Sequence, residues 1–272
     1  MKDILVQLDG GPRSAARLEA AIAVARTLGA SRLTGLFAHS ESHGPSAVAR
    51  RASDHLHAAA ERAETAFHAA LAGSGILGRW WKLSHGEHGH VIAETVFCAR
   101  YADLVILGQY DADSSRVPEE LIEQVVLNSG RPVLVLPHSG GFESIGARVS
   151  VAWNASREAS RALHDAMPFL EMAAEVTILA IRNTGPGAVP HPDDVPAVDI
   201  ADSLATHGIA AKTERLTGED IGVMDLLLSR SFDVGADLLV MGAHSGLGFS
   251  FTRGAGTRFI LGHMTLPVLM SN

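Results

Sequence analysis

The chain of 272 residues has a single cysteine, Cys98. That excludes an internal disulfide and fits a reducing compartment. Positive charge is scarce: 22 Lys and Arg stand against 30 Asp and Glu, a formal net charge of −8. Nucleic acid and anionic lipid both call for a basic face, so neither is an expected partner. No apolar run approaches the ~18 residues of a membrane-spanning helix. The opening run Ile4-Leu5-Val6 is broken at once by Gln7 and Asp9, unlike a secretory signal. What is present is apolar bulk. With 47% hydrophobic and 19% charged residues, the chain can bury a sizeable core, which argues against disorder. A cytoplasmic protein is expected.

The sequence reads as one unit written twice. Ile4-Leu5-Val6-Gln7-Leu8-Asp9-Gly10-Gly11 and Val149-Ser150-Val151-Ala152-Trp153-Asn154-Ala155-Ser156 each precede an amphipathic helical stretch. With Ile4 set on Val149, Asp9 falls on Asn154 without a gap. Ala102-Asp103-Leu104-Val105-Ile106-Leu107-Gly108 matches Ala236-Asp237-Leu238-Leu239-Val240-Met241-Gly242. The closing segments Arg131-Pro132-Val133-Leu134-Val135-Leu136 and Leu266-Pro267-Val268-Leu269-Met270 match as well. Short continuous apolar runs suit parallel strands buried on both faces. Strands are expected near 3–8, 32–38, 78–83, 103–107 and 132–136, then near 148–153, 175–181, 211–215, 237–241 and 267–270. Helices are expected near 13–28, 45–73, 89–101 and 117–128, then near 157–172, 193–207, 219–234 and 254–262. This order predicts an α/β fold with two tandem Rossmann-like domains. Each is a five-stranded parallel sheet with helices on both faces. The domains span 1–140 and 146–272, joined at His138-Ser139-Gly140-Gly141-Phe142-Glu143.

In such a sheet, ligands sit at the carboxyl ends of the strands, where strand order reverses. The loops after the first and fourth strands of each half should meet there. An anion cradle needs glycines, whose backbone N–H groups can turn inward with no Cβ in the way, and a following helix N-terminus. The stretch 242–257 carries five glycines in sixteen residues and runs into Gly256-Thr257. The first-half counterpart, Gly108-Gln109-Tyr110-Asp111-Ala112-Asp113-Ser114-Ser115, has one glycine and two aspartates, which would repel a polyphosphate. If either half binds a nucleotide, it should therefore be the second.

Together these blocks resemble the universal stress protein family, in its tandem two-domain form, over nearly the whole chain. The resemblance implies a role in stress adaptation and, for ATP-binding members, a Gly-x2-Gly-x9-Gly-(Ser/Thr) loop after the fourth strand. It also implies an Asp closing the first strand, which holds the adenine end. This chain has Ser245 where the second glycine belongs, with Gly246 one residue late. From Gly246 the spacing to Gly256 and Thr257 fits, and Asn154 replaces the Asp. The expected nucleotide-site residues are Trp153, Asn154, Met241, Gly242, Ser245, Gly246, Gly256 and Thr257, with ATP as cofactor.

Plainer readings stand beside these. The loop 242–257 reads equally as a glycine-rich connection, Asp9 as a turn cap, and Trp153 as a packing residue. His85, His88 and His90 have metal-ligand chemistry but sit where any polar turn would serve. Cys98 reads as a small buried hydrophobe. There is no Gly-x4-Gly-Lys-(Ser/Thr) loop and no Gly-x-Ser-x-Gly elbow in a suitable context, and no catalytic set is legible, so no enzyme is expected. The alternative to a nucleotide-binding regulator is a ligand-free scaffold acting through protein contacts. Single-domain relatives pair through the closing strand. By that resemblance Val133–Leu136 and Val268–Met270 should lie side by side as an intramolecular pseudo-dimer, with further homo-oligomerisation left open.

Overall fold

A computed structural model describes residues 1–40, 54–142, 144–183, 199–218, 222–243 and 254–272. The chain divides into two units, Met1–Phe142 and Glu143–Asn272. In the first, β1 (Asp3–Leu8), α1 (Ser14–Thr27), β2 (Arg32–Phe37), α2 (Asp54–Leu71) and β3 (Leu77–Lys82) are followed by α3 (His88–Ala99), β4 (Leu104–Gly108), α4 (Leu121–Asn128) and β5 (Val133–Leu136). The strands are parallel and run β3-β2-β1-β4-β5 across the sheet. The second unit has β6 (Arg148–Trp153), α5 (Arg157–Leu170), β7 (Glu175–Asn183), α6 (Ile200–Ala205) and β8 (Ala211–Gly218). It continues with α7 (Gly222–Asp233), β9 (Leu238–Gly242), α8 (Ala255–His263) and β10 (Val268–Ser271). Its parallel order is β8-β7-β6-β9-β10.

Strand β1 is buried along its whole length, and β4 is buried up to its last residue, Gly108, because helices cover both faces. The helices present matching stripes: Leu18, Ala21, Ile22 and Ala25 on α1, and Ala159, Ala162, Leu163, Ala166 and Phe169 on α5, all buried. On α2, Leu56, Ala60, Phe67 and Leu71 are buried, while Ala63 on the same apolar stripe is half-buried. The expected stretch 45–53 ahead of it lies outside the described residues. Helix α4 begins four residues later than the expected 117. Val117 precedes Pro118, and a residue before proline is pushed out of the helical region.

The two units repeat each other to the residue. Ile4 pairs with Leu104 where Val149 pairs with Leu238, and Val105 pairs with Val133 where Leu239 pairs with Val268. The aspartate of the Ala-Asp-Leu block has the same task in both. The Asp103 carboxylate accepts the N–H groups of Lys2 (2.7 Å) and Asp3 (3.1 Å) at the start of β1. That of Asp237 accepts those of Gly146 (3.0 Å), Ala147 (3.1 Å) and Arg148 (2.9 Å) at the start of β6, and the Ser144 hydroxyl (2.6 Å). These N–H groups have no strand partner, so the carboxylate satisfies what the sheet leaves open. Hydrogen bonding by the Lys2 N–H, ahead of an opposing desolvation, holds the Asp103 carboxyl below its ordinary range.

Candidate functional site

Strand order reverses between β1 and β4 in the first unit and between β6 and β9 in the second, so each unit has a crevice there. In the second unit β6 and β9 pair through Val151 and Val240. Trp153, Asn154, Met241 and Gly242 therefore come together at adjacent carboxyl ends. Trp153 and Asn154 are half-buried and Met241 is buried. The Asn154 side-chain carbonyl accepts the Ser156 N–H (3.1 Å), and the Ser156 hydroxyl caps α5 by accepting the Ala159 N–H (3.1 Å). Asp9 makes the same turn through the Gly11 N–H (2.9 Å). Between them stands a left-handed residue, Gly10 at φ +70 in the first unit but Ala155 at φ +56 in the second. A Cβ in that region costs roughly 1–2 kcal/mol. The second crevice thus holds local strain that the first avoids with glycine.

Among the described residues, three glycines of the second-half loop, Gly242, Gly254 and Gly256, have packing or capping roles. A Cβ on Gly242 would lie 2.5 Å from the Glu158 carbonyl carbon and the Ala159 nitrogen, so glycine lets the first turn of α5 seat on the end of β9. Gly254 caps α8 at φ +89, a conformation other residues resist. Gly256, in the first turn of α8, faces Met224 of α7, and Thr257 beside it is buried. Ser245 and Gly246 lie outside the described residues.

The first crevice is built differently. Arg17 of α1 is buried there, its guanidinium donating to the Gln7 side-chain carbonyl and, at 3.4 Å, to Asp9. Gln7 in turn donates to the Ala38 carbonyl (3.0 Å). Asp9 also accepts the Ser14 hydroxyl (2.6 Å). Burial alone would raise the Asp9 carboxyl, but Arg17, Ser14 and the Gly11 N–H together outweigh it and hold it below its ordinary range. A Cβ on Gly108 would meet this guanidinium at 2.9 Å. Arg17 thus stands between α1 and the end of β4, where the second unit brings helix and strand into direct contact. The matching second-unit positions are Ala152, Asn154 and Ala162. Sequence reasoning flagged Gln7 and Asp9 as breaks in an apolar strand but missed Arg17. The signal was available as a polar pair on a strand buried on both faces, which needs a buried partner.

Asp111 is also structural: it accepts the Ser114 hydroxyl (2.5 Å) and the Asp113 N–H (3.2 Å). The histidine loop is tied down by carboxylates, with His85 Nδ1 2.5 Å from Glu94 and His88 Nε2 3.2 Å from Glu120. The His85 and His90 rings lie 4.7 Å apart. Among the described residues no group of three or more such side chains could hold a metal ion. Cys98 is half-buried rather than buried as expected, and desolvation pushes its thiol up to about 11, so it stays protonated at neutral pH.

No family model and no curated protein matches the sequence. Solved structures do. One is a universal stress protein from Archaeoglobus fulgidus DSM 4304, with TM-score 0.73 at 19% identity, covering 99% of this chain and 98% of the other. Another is a candidate universal stress protein from Pseudomonas aeruginosa UCBPP-PA14, with TM-score 0.60 at 15% identity, covering 100% and 93%. A third is the cytoplasmic domain of a prokaryotic cation chloride cotransporter, with TM-score 0.50 at 12% identity, covering 99% and 94%. The architecture is a pair of doubly wound parallel α/β units in tandem. It is the universal stress protein fold in its two-domain form. Since a transporter domain shares this architecture, function has to be argued from the site. No described helix is long and apolar enough to cross a membrane.

Proposed function

We propose that the chain is a cytoplasmic stress-response regulator that binds ATP or a related adenine nucleotide in its second unit. In this reading the first unit is degenerate and neither unit is catalytic. The observation that carries this is the exchange at the crevice. Gln7, Asp9 and Arg17 in the first unit give way to Ala152, Asn154 and Ala162 in the second, so at these three positions neither a guanidinium nor a carboxylate stands in the place of an anion. Asn154 keeps an acceptor and a donor for an adenine edge. The first turn of α8 supplies N–H groups and a positive dipole end for phosphate. Nucleotide occupancy would act by favouring one conformation or partner surface.

The test is Ala255→Glu in the full chain. A carboxylate in the first turn of α8 favours the helix but repels a polyphosphate. ATP affinity should fall by roughly tenfold or more while thermal stability holds or rises. Equal affinity in both proteins places the nucleotide elsewhere. The packing roles of Gly242, Gly254 and Gly256 favour a second reading, a scaffold that keeps the shape of the cradle without its ligand. Native mass spectrometry of purified chain with added ATP separates the two. In either case the closing strands, each last in its own unit's sheet order, are proposed to pair with each other as the sequence repeat implies. Cleavage after Gly141 should then leave the halves associated on gel filtration, and their separation would count against that pairing.

A further inference from the structure

The first unit's crevice holds a donor without an acceptor. The Arg17 side chain is only 7% exposed. One of its terminal nitrogens serves Gln7 and the other Asp9, yet its buried Nε–H has no hydrogen-bond partner. A buried, unmatched donor on a charged group is costly. Nε shares an edge with Nη2, which already donates to Asp9, so on that edge the Nε–H is the donor left open. Arg17 lines a cleft between the loops that follow β1, β4 and β5, with Arg13, Gln109, Ser115 and His138 around it. The cleft has about 30 Å³ of free space, room for about two waters or one small ion and far too little for a base and ribose.

Charge sets what fits. Asp9 lines the same cleft, but its oxygens are held by the Gly11 N–H, Ser14 and Arg17, and its charge is matched by that of Arg17. Arg13 is left over. It donates to the Gly140 carbonyl at 2.7 Å through one terminal nitrogen and retains its remaining N–H groups. The Ser115 hydroxyl oxygen accepts the Asp111 N–H at 2.8 Å, which leaves its own proton to point elsewhere. A single negative charge balances the lining, whereas a second would face Asp9 uncompensated.

We propose that this cleft binds a small monoanion, a carboxylate or a singly charged phosphate, gripped by Arg17 Nε–H and Arg13. The site is in the other unit from the proposed nucleotide site and does not depend on it. A buried arginine Nε–H gives a resolved amide-type signal in ¹⁵N-labelled full-length protein, and Arg17→Lys identifies the peak by its loss. Formate, and inorganic phosphate at slightly acid pH, should shift that signal saturably, while chloride at matched ionic strength should not. Which of the two binds more tightly tells a carboxylate site from a phosphate site. Arg13→Ala should weaken binding by roughly tenfold, whereas Ala255→Glu should leave it unchanged. The proposal is overturned if neither ion moves the signal beyond chloride up to about 50 mM, the cleft then holding water alone. It is equally overturned if Arg13→Ala binds as well as wild type.

Discussion

The exchange between the two crevices can be tested as an energy. Arg17→Ala leaves Asp9, only 4% exposed, without its guanidinium. Breaking a buried ion pair by removing one partner costs about 3–5 kcal/mol. Asp9 keeps the Gly11 N–H and the Ser14 hydroxyl, so the lower end, about 3 kcal/mol, is expected here. Asp9→Asn preserves the turn, as Asn154 shows in the second unit, and removes the stranded charge. The double variant Asp9→Asn/Arg17→Ala should therefore be less destabilised than Arg17→Ala alone, with a coupling of about 1.5 kcal/mol or more. Adding Gln7→Ala completes the second unit's set. It does not restore full stability, because α1 stands off β4 by the width of a guanidinium and a cavity remains. Urea unfolding followed by Trp80 and Trp81, both on β3, in a Trp153→Phe background reads the first unit alone. A cost below about 1 kcal/mol for Arg17→Ala, or strictly additive single variants, would refute the reasoning.

Other consequences are as direct. Asp237→Ala should cost about 2–3 kcal/mol and Asp103→Ala about 1–2, since the first carboxylate holds four donors and the second two; urea midpoints that rank the other way would reject the bond count. Gly242→Ala should cost about 3 kcal/mol, because the new methyl meets backbone that cannot swing aside. Gly262→Ala, in open space on α8, should instead stabilise by about 0.5 kcal/mol. Asp9 and Asp103 are both held below the ordinary carboxylate value of 3.8, so the unfolded chain takes up their protons first as pH falls. Their contribution is complete above the unfolded value and is lost as pH drops through the lower folded ones. Asp9→Asn should flatten that acid limb in urea midpoints followed through Trp80 and Trp81. An unchanged limb would mean Asp9 is not held as described.

Much of the fold was legible because buried parallel strands write themselves as unbroken apolar runs, and here each run is written twice. Ile4 and Val149, or Val105 and Leu239, could be matched by eye, and their partners across the sheet match too. Element ends were less legible where local chemistry intervenes. Val117 before Pro118 delays α4, and β8 runs on to Gly218, past the expected 215, alongside a β7 that runs on to Asn183, past the expected 181. The site was legible only as a location. Asn154 and Gly242 come together because register dictates it. What fills each crevice was not legible, because an arginine on a helix usually points to water, and only the fold puts Arg17 against Gly108. The loop glycines were ambiguous for a related reason. A glycine required by a neighbouring backbone, as at Gly242, looks the same in sequence as one required by a phosphate.

The division of labour among repeated residues follows from this. The positions that match best between the halves all serve the backbone. Asp103 and Asp237 collect the unpaired N–H groups at the head of the first strand in each unit. Such residues are retained by any copy that folds, so they identify the architecture and say little about ligands. The informative positions are those where one copy departs from the other on the same scaffold. At 7 and 152, 9 and 154, and 17 and 162, a buried ionic network faces a small, nearly apolar floor. Ligand differences between the halves should follow those three pairs. Exchanging the remainder of α1 and α5, with these pairs left in place, should therefore move stability but not the anion or nucleotide preference of either unit.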